Sequence, residues 1–374
     1  MKRILKILLL SFFLIFLLIS EVQAEPLDDL SEAVGADELS DCLPKEVKEE
    51  LLSLGIDSEN FATAQNLSFS SFAEFLLNTV SKEAEGVFPS VAAILSILLL
   101  YTIFTSVFES VSNPSLSSVL SVVSALCIAC VLLMPAIKLM EQVQKAITLS
   151  ADFMLAYIPV MTAVLISSGQ FVTGSGYSAM MILCAQGVGQ FFSKIISPLL
   201  SCFLSLGISS SIVPDIKLNS LISFFSKSVK WVMSFVFTLF TSFLTLKSLY
   251  ATSVDNVSSR AVRYTMSSFV PVVGSALSEA YRTVHGSVGV LKSGIGVFVI
   301  ISVAVVFLPV IIRLLLWLFT VNICKGFAET SSLHSPVSML SAVSTVLSLM
   351  LSVVFCIIAL FIITTALIIS IGGA

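Results

Sequence analysis

The chain has 374 residues, of which 57% are hydrophobic and 11% charged, and its mean hydropathy is +1.06. Soluble domains carry about 25% charged residues, so an ordinary soluble enzyme is excluded before any motif is read. With only His285 and His334, a multi-histidine metal site is nearly excluded too, and the net charge of −4 hides an acidic head on a slightly basic, apolar body.

Lys2, Arg3 and Lys6 precede an apolar run, and Val22-Gln23-Ala24 places small residues two apart. This pattern reads as a signal peptide over residues 1–24, with an uncleaved first anchor as the alternative. Either reading puts the following segment outside the cytoplasm. Between Glu25 and Ser90, fifteen acidic residues face three lysines, leaving twelve net negative charges. Residues 25–90 form the expected head. Pro44 opens a short helix with Val47, Leu51 and Leu54 on one face, and Gly55 stops it. A second helix is expected from Ser68 as N-cap, with Phe69, Phe72, Leu76 and Val80 on one side, ending by Gly86. Its narrow apolar stripe requires cover from the membrane surface, the body or another subunit. Of seven cysteines only Cys42 lies in the head, so no intramolecular disulfide framework is available there. Cys127 and Cys130 have redox-motif spacing, but an apolar run disfavours thiolate chemistry, and they read as small helix residues.

Residues 91–374 form the expected membrane domain. Apolar runs fall at about 91–108, 116–137, 147–168, 178–206, 229–249, 295–318 and 343–369. Each approaches or exceeds the ~18–20 residues that cross ~30 Å of hydrocarbon at ~1.5 Å per residue. Backbone groups in lipid must bond internally, and these runs are too long for barrel strands. The fold class is therefore an all-α polytopic membrane protein with seven to eight transmembrane or re-entrant helices behind a small exported helical head. Trp231 and Trp317, near run ends, suit the interface belt. Arg260, Arg263, Arg282 and Lys292 favour a cytoplasmic 252–293 connection, which Lys217, Lys227 and Lys230 on the other side partly oppose.

A candidate internal repeat covers about 116–206 and 229–318. Tyr157-Ile-Pro-Val-Met-Thr-Ala-Val-Leu165 aligns with Phe269-Val-Pro-Val-Val-Gly-Ser-Ala-Leu277 at an offset of 112, and Val172-Thr-Gly-Ser175 aligns with Val284-His-Gly-Ser287. Pro159 pairs with Pro271, and Gly174 with Gly286. Such stretches read either as interrupted helices enclosing a binding or translocation region, or as simple proline kinks in packing helices. Gly274 and Glu279 add a turn residue and an anion to the second stretch. Gln186, Gln190 and Lys194 recur every four residues on one helix face. A mid-membrane cation is costly, so this face reads as the lining of a water-filled path, or else as a helix break with Lys194 snorkelling. Asp152 and Arg313 are the other intramembrane charges.

No Walker lysine loop, His-Glu-x-x-His pattern or G-x-S-x-G elbow occurs. The expectation is a non-enzyme with no cofactor and no metal. Energy for transport would come from a gradient or a separate ATPase.

The order of features resembles the stage III sporulation protein AE family of endospore-forming bacteria. The most specific likeness is Phe269-Val-Pro-Val-Val-Gly-Ser-Ala-Leu-Ser-Glu-Ala280, continuing to Leu291-Lys-Ser-Gly-Ile-Gly296, with Tyr157-Ile-Pro-Val160 and Ser167-Ser-Gly169 similar as well. Ser275 stands where the family commonly has glycine, and Glu279 where aspartate is usual. The resemblance implies a permease-like membrane subunit of the channel joining mother cell and forespore. It also implies partners: other mother-cell stage III A-operon proteins, including a secretion-type ATPase and ring-forming proteins, and indirectly a forespore partner. The implied location is the mother-cell (outer forespore) membrane, with residues 25–90 in the intermembrane space and no nucleic acid involved. A stand-alone ion-driven transporter and a non-conducting scaffold for the ring proteins are the two alternatives.

Overall fold

The computed structural model describes residues 37–57, 63, 69–110, 114–212, 219–269, 274–331 and 333–370. The signal-peptide segment lies outside these, as does Pro271. Ten α-helices are described in the order α1 (Asp37–Asp41), α2 (Lys45–Ser53), α3 (Phe69–Glu85), α4 (Phe88–Ser110), α5 (Pro114–Ser167), α6 (Phe171–Phe191), α7 (Ser197–Ile212), α8 (Asn219–Phe269), α9 (Gly274–Thr330) and α10 (His334–Ser370). A π-turn, Phe192–Ile196, joins α6 to α7 without a break. Prolines punctuate the starts: Pro44 precedes α2, Pro114 opens α5, and Pro89 and Pro336 lie in the first turns of α4 and α10. Proline's missing N–H costs nothing there.

Seven apolar runs become six helical stretches long and apolar enough to cross a membrane among the described residues. The reduction has a local cause. Runs 116–137 and 147–168 are separated by Lys138-Leu-Met-Glu-Gln-Val-Gln-Lys145, a segment rich in strong helix formers with no glycine or proline. The charged interval changes polarity but leaves the helix intact, so α5 is one helix of 54 residues, about 80 Å long at 1.5 Å per residue. Pro135 and Pro159 lie inside it without ending it.

The core is the α9–α10 pair, flanked by α5, α7 and α8. Phe298, Phe307, Met350, Val354 and Phe361 are fully or almost fully buried there. Close approach depends on small residues. A Cβ on Gly207 of α7 would collide with the Cβ of Ala342 on α10, and one on Gly296 of α9 would meet the Ile369 side chain. Without a hydrophobic drive between helices in lipid, such backbone proximity is the main source of packing energy.

The head packs against α9. Val47, Leu51 and Leu54 are buried as the spacing of α2 predicts, and Gly55, at φ 79°, ends that helix. On α3 the covered face is rotated from the expected stripe: Phe75, Thr79 and Glu83 are buried while Val80 faces out. The body supplies the missing cover through a polar contact. The Arg313 guanidinium on α9 donates to the buried Glu83 carboxylate of α3, giving the apparently isolated membrane arginine its counter-ion.

Candidate functional site

The α5–α6 turn brings the first glycine-bearing stretch into a defined geometry. At the end of α5, Gly169 N–H donates to the Ile166 carbonyl at 2.9 Å, and Gln170 N–H donates to the Leu165 carbonyl at 2.9 Å. This paired closure requires a left-handed residue, and Gly169 has φ 77°. The helix α6 then begins directly, and Gly174 lets it lie against α5: a Cβ there would sit 3.4 Å from both Leu165 and Ile166.

The first turn of α6 is held from across the bundle. The Asp255 carboxylate of α8 accepts hydrogen bonds from Val172 N–H at 3.1 Å and Thr173 N–H at 2.7 Å. Asp255 is 5% exposed. Its charge lies at the positive end of the α6 dipole, and two orphan donors satisfy it. Sequence reading passed over Asp255 because its partners are backbone groups more than eighty positions away, which no local pattern reports.

Behind this clamp runs a buried polar seam. Among the described residues, oxygens of Ser150, Gln170 and Thr173 are buried without a protein partner, while the buried Tyr157 and Tyr177 hydroxyls interact with each other. The Tyr157 and Tyr177 rings meet edge to face at a centroid distance of 6.4 Å. Unpaired buried oxygens are costly and mark places where water or a second conformation supplies partners. Beside the seam, Val172, Thr173, Tyr177, Leu244, Lys247 and Ile368 help to line a cleft of about 160 Å³ between α6, α8 and the end of α10.

The predicted site residues divide. Gly174, buried at the start of α6, borders the seam, whereas Pro159, within α5, is exposed on the outside of the bundle. Gln186, Gln190 and Lys194 share one face as their spacing predicts, but that face is exposed on the outside of the bundle. Lys194 Nζ donates to Gln190 Oε1 at 3.1 Å, and Lys194 sits in the π-turn, where Gln144 Nε2 donates to the Ser193 hydroxyl at 3.2 Å. The chain thus neither breaks at Lys194 nor turns it inward. Asp152 also faces outward. Trp231 is exposed, as a belt residue should be, whereas Trp317 is buried core.

The second stretch has a different setting. Gly274 opens α9, Glu279 lies in its following turns, and Gly286 is exposed with open space where a Cβ would stand. The chain turns at 168–170 in the first stretch, yet the aligned positions 280–282 are helical in the second. The two stretches therefore occupy different secondary-structure contexts. The supposed 252–293 connection is itself helical on both sides of residues 270–273, and Lys292 within it is buried.

Long apolar helices, an apolar outer surface on α8 and a charged residue held by backbone donors define an all-α polytopic membrane protein. Comparison with known sequences gives the particular family: residues 57–372 match stage III sporulation protein AE, and the chain belongs to that family. It is similar to a curated protein named "Stage III sporulation protein AE" from Bacillus subtilis (strain 168), with 23% identity over 208 residues, covering 54% of this chain and 52% of that relative. The chain thus spans about half the length of the curated relative it matches. No solved structure matches.

Proposed function

We propose that this sporulation protein is a permease-like, non-enzymatic subunit of the channel complex between mother cell and forespore. In this reading it lies in the mother-cell (outer forespore) membrane with residues 25–90 in the intermembrane space. A partner ATPase of the secretion type supplies energy, and the ring-forming A-operon proteins continue the path toward the forespore partner. The observation that carries the reading is the polar seam at the α5–α6 turn. Oxygens of Gln170 and Thr173 are buried without a protein partner, next to the interacting Tyr157 and Tyr177 hydroxyls, beside an ionisable group that ties two helices together. Polar and ionisable groups gathered in the interior of a membrane bundle characterise substrate and ion pathways.

Replacing Asp255, Pro271, Gly274 and Glu279 singly in a sporulating host tests this. Loss of forespore gene expression with the complex still assembled is the expected outcome. Failed assembly points to the scaffold alternative, and uptake by proteoliposomes holding this chain alone points to the independent transporter.

A further inference from the structure

Charge spacing gives a scale for the depth of the cleft between α6 and α8. On α8, Lys230 and Lys247 enclose sixteen uncharged residues, a separation of about 26 Å at 1.5 Å per residue. On α9, Lys292 and Arg313 enclose twenty, about 32 Å by the same rise. Both intervals match the ~30 Å of a bilayer's hydrocarbon. The lower members lie at one level, because Ile368 lines the cleft with Lys247 and Gly296, one turn beyond Lys292, meets Ile369. With the bilayer boundary taken at that level, Lys247 stands at headgroup depth, although the apolar stretch of α8 runs on to Val262. From Trp231 to Tyr250 the outward side chains of α8 include Phe235, Leu239, Phe243 and Leu246, a surface suited to acyl chains.

The cleft combines both chemistries. Val172, Met180, Leu244 and Ile368 form apolar walls, while Ser175, Lys247 and Ser248 bring a cation and two hydroxyls. Thr173 also lines it, but its hydroxyl is buried away from the opening. The α6 amides at Val172 and Thr173 are already taken by Asp255, so the anion-binding group is Lys247 and not the helix end. We infer that this cleft is a binding site for a single anionic phospholipid, its phosphodiester on Lys247 and the hydroxyls, its acyl chain along Leu244 and Ile368. The inference stands apart from the transport reading, since a scaffold could hold the same lipid.

The test uses the full chain, delipidated in detergent, with native mass spectrometry and thermal unfolding read after adding phosphatidylglycerol, phosphatidylcholine or inorganic phosphate. One phosphatidylglycerol should be retained in preference to phosphatidylcholine and should raise the melting temperature; phosphate alone should do neither. Lys247→Gln should weaken that retention about fivefold, the scale of one lysine at an anionic surface. Gly176→Leu should abolish it by filling the cleft, since nothing lies within 4 Å of the Cβ position there. Lys230→Gln should leave it unchanged. Equal retention of the two lipids, wild-type retention by Lys247→Gln, or the full shift from phosphate alone would each overturn the inference.

Discussion

The α9–α10 pair and α8 are all long and apolar enough to cross a membrane, α8 being the least apolar of the three, but they differ in their surroundings. In the most apolar window of α9, 61% of residues are buried, against 11% for α8. In water, apolar character would drive both inside. In lipid it drives neither, and what sorts them is how closely a backbone can be approached. The core pair offers Gly296, Ser335, Ala342 and Thr365 to its neighbours, whereas α8 presents Trp231, Phe235, Phe243 and Leu246 outward. What holds α8 in place is partly polar: Asp255, gripping the start of α6.

Phe361 is 1% exposed on α10 and Phe243 is 47% exposed on α8, so matched alanine substitutions should break the comparison or establish it. Phe361→Ala should cost about 3 kcal/mol or more through the cavity it leaves. Phe243→Ala should stay within about 0.5 kcal/mol. Unfolding in detergent measures both, and equal costs would remove the distinction. Gly207→Ala should lose about 1–3 kcal/mol by overpacking against Ala342, with Ala342→Gly restoring stability in the double variant. Asp255→Ala should cost about 1.5–3 kcal/mol, the range for hydrogen bonds to a charged group, and thermal unfolding should show Asp255→Asn in between.

Smaller effects belong to the head. In a double-mutant cycle, Glu83→Gln and Arg313→Gln should be coupled by about 0.5–3 kcal/mol, with faster amide exchange in α3 as the local sign of release. The smallest effect concerns pH. Burial raises the Glu50 pKa, and Lys82 opposes that shift. The folded head thus holds this proton more tightly than the unfolded chain. Docking should strengthen as pH falls toward the ordinary glutamate range and weaken as pH rises through the raised value. Amide exchange of α2, corrected for intrinsic rates, should show this slope, and Glu50→Gln should flatten it.

Helix class and approximate span positions were legible because apolar runs of sufficient length have few alternatives in lipid. The face of α2 was equally legible, since Val47, Leu51 and Leu54 obey a local period. The face of α3 was not. Glu83 follows Arg313, more than two hundred positions later, and turns Val80 out while Phe72 of the expected stripe still packs on the core. The same limit hid Asp255. Gln186, Gln190 and Lys194 show the converse: their spacing placed them on one face correctly, but nothing in the spacing says whether a face points inward or outward.

The amino-acid order by itself determined the solvent this protein requires, its helical backbone and its family membership, because hydrogen-bond satisfaction in lipid and the length of apolar runs are local properties. Tertiary structure alone decided which helices form the centre, where Arg313 finds its counter-ion, and how the α5–α6 turn is clamped. Those outcomes depend on contacts between residues far apart in the chain, made by small side chains and single charges that no local pattern pairs.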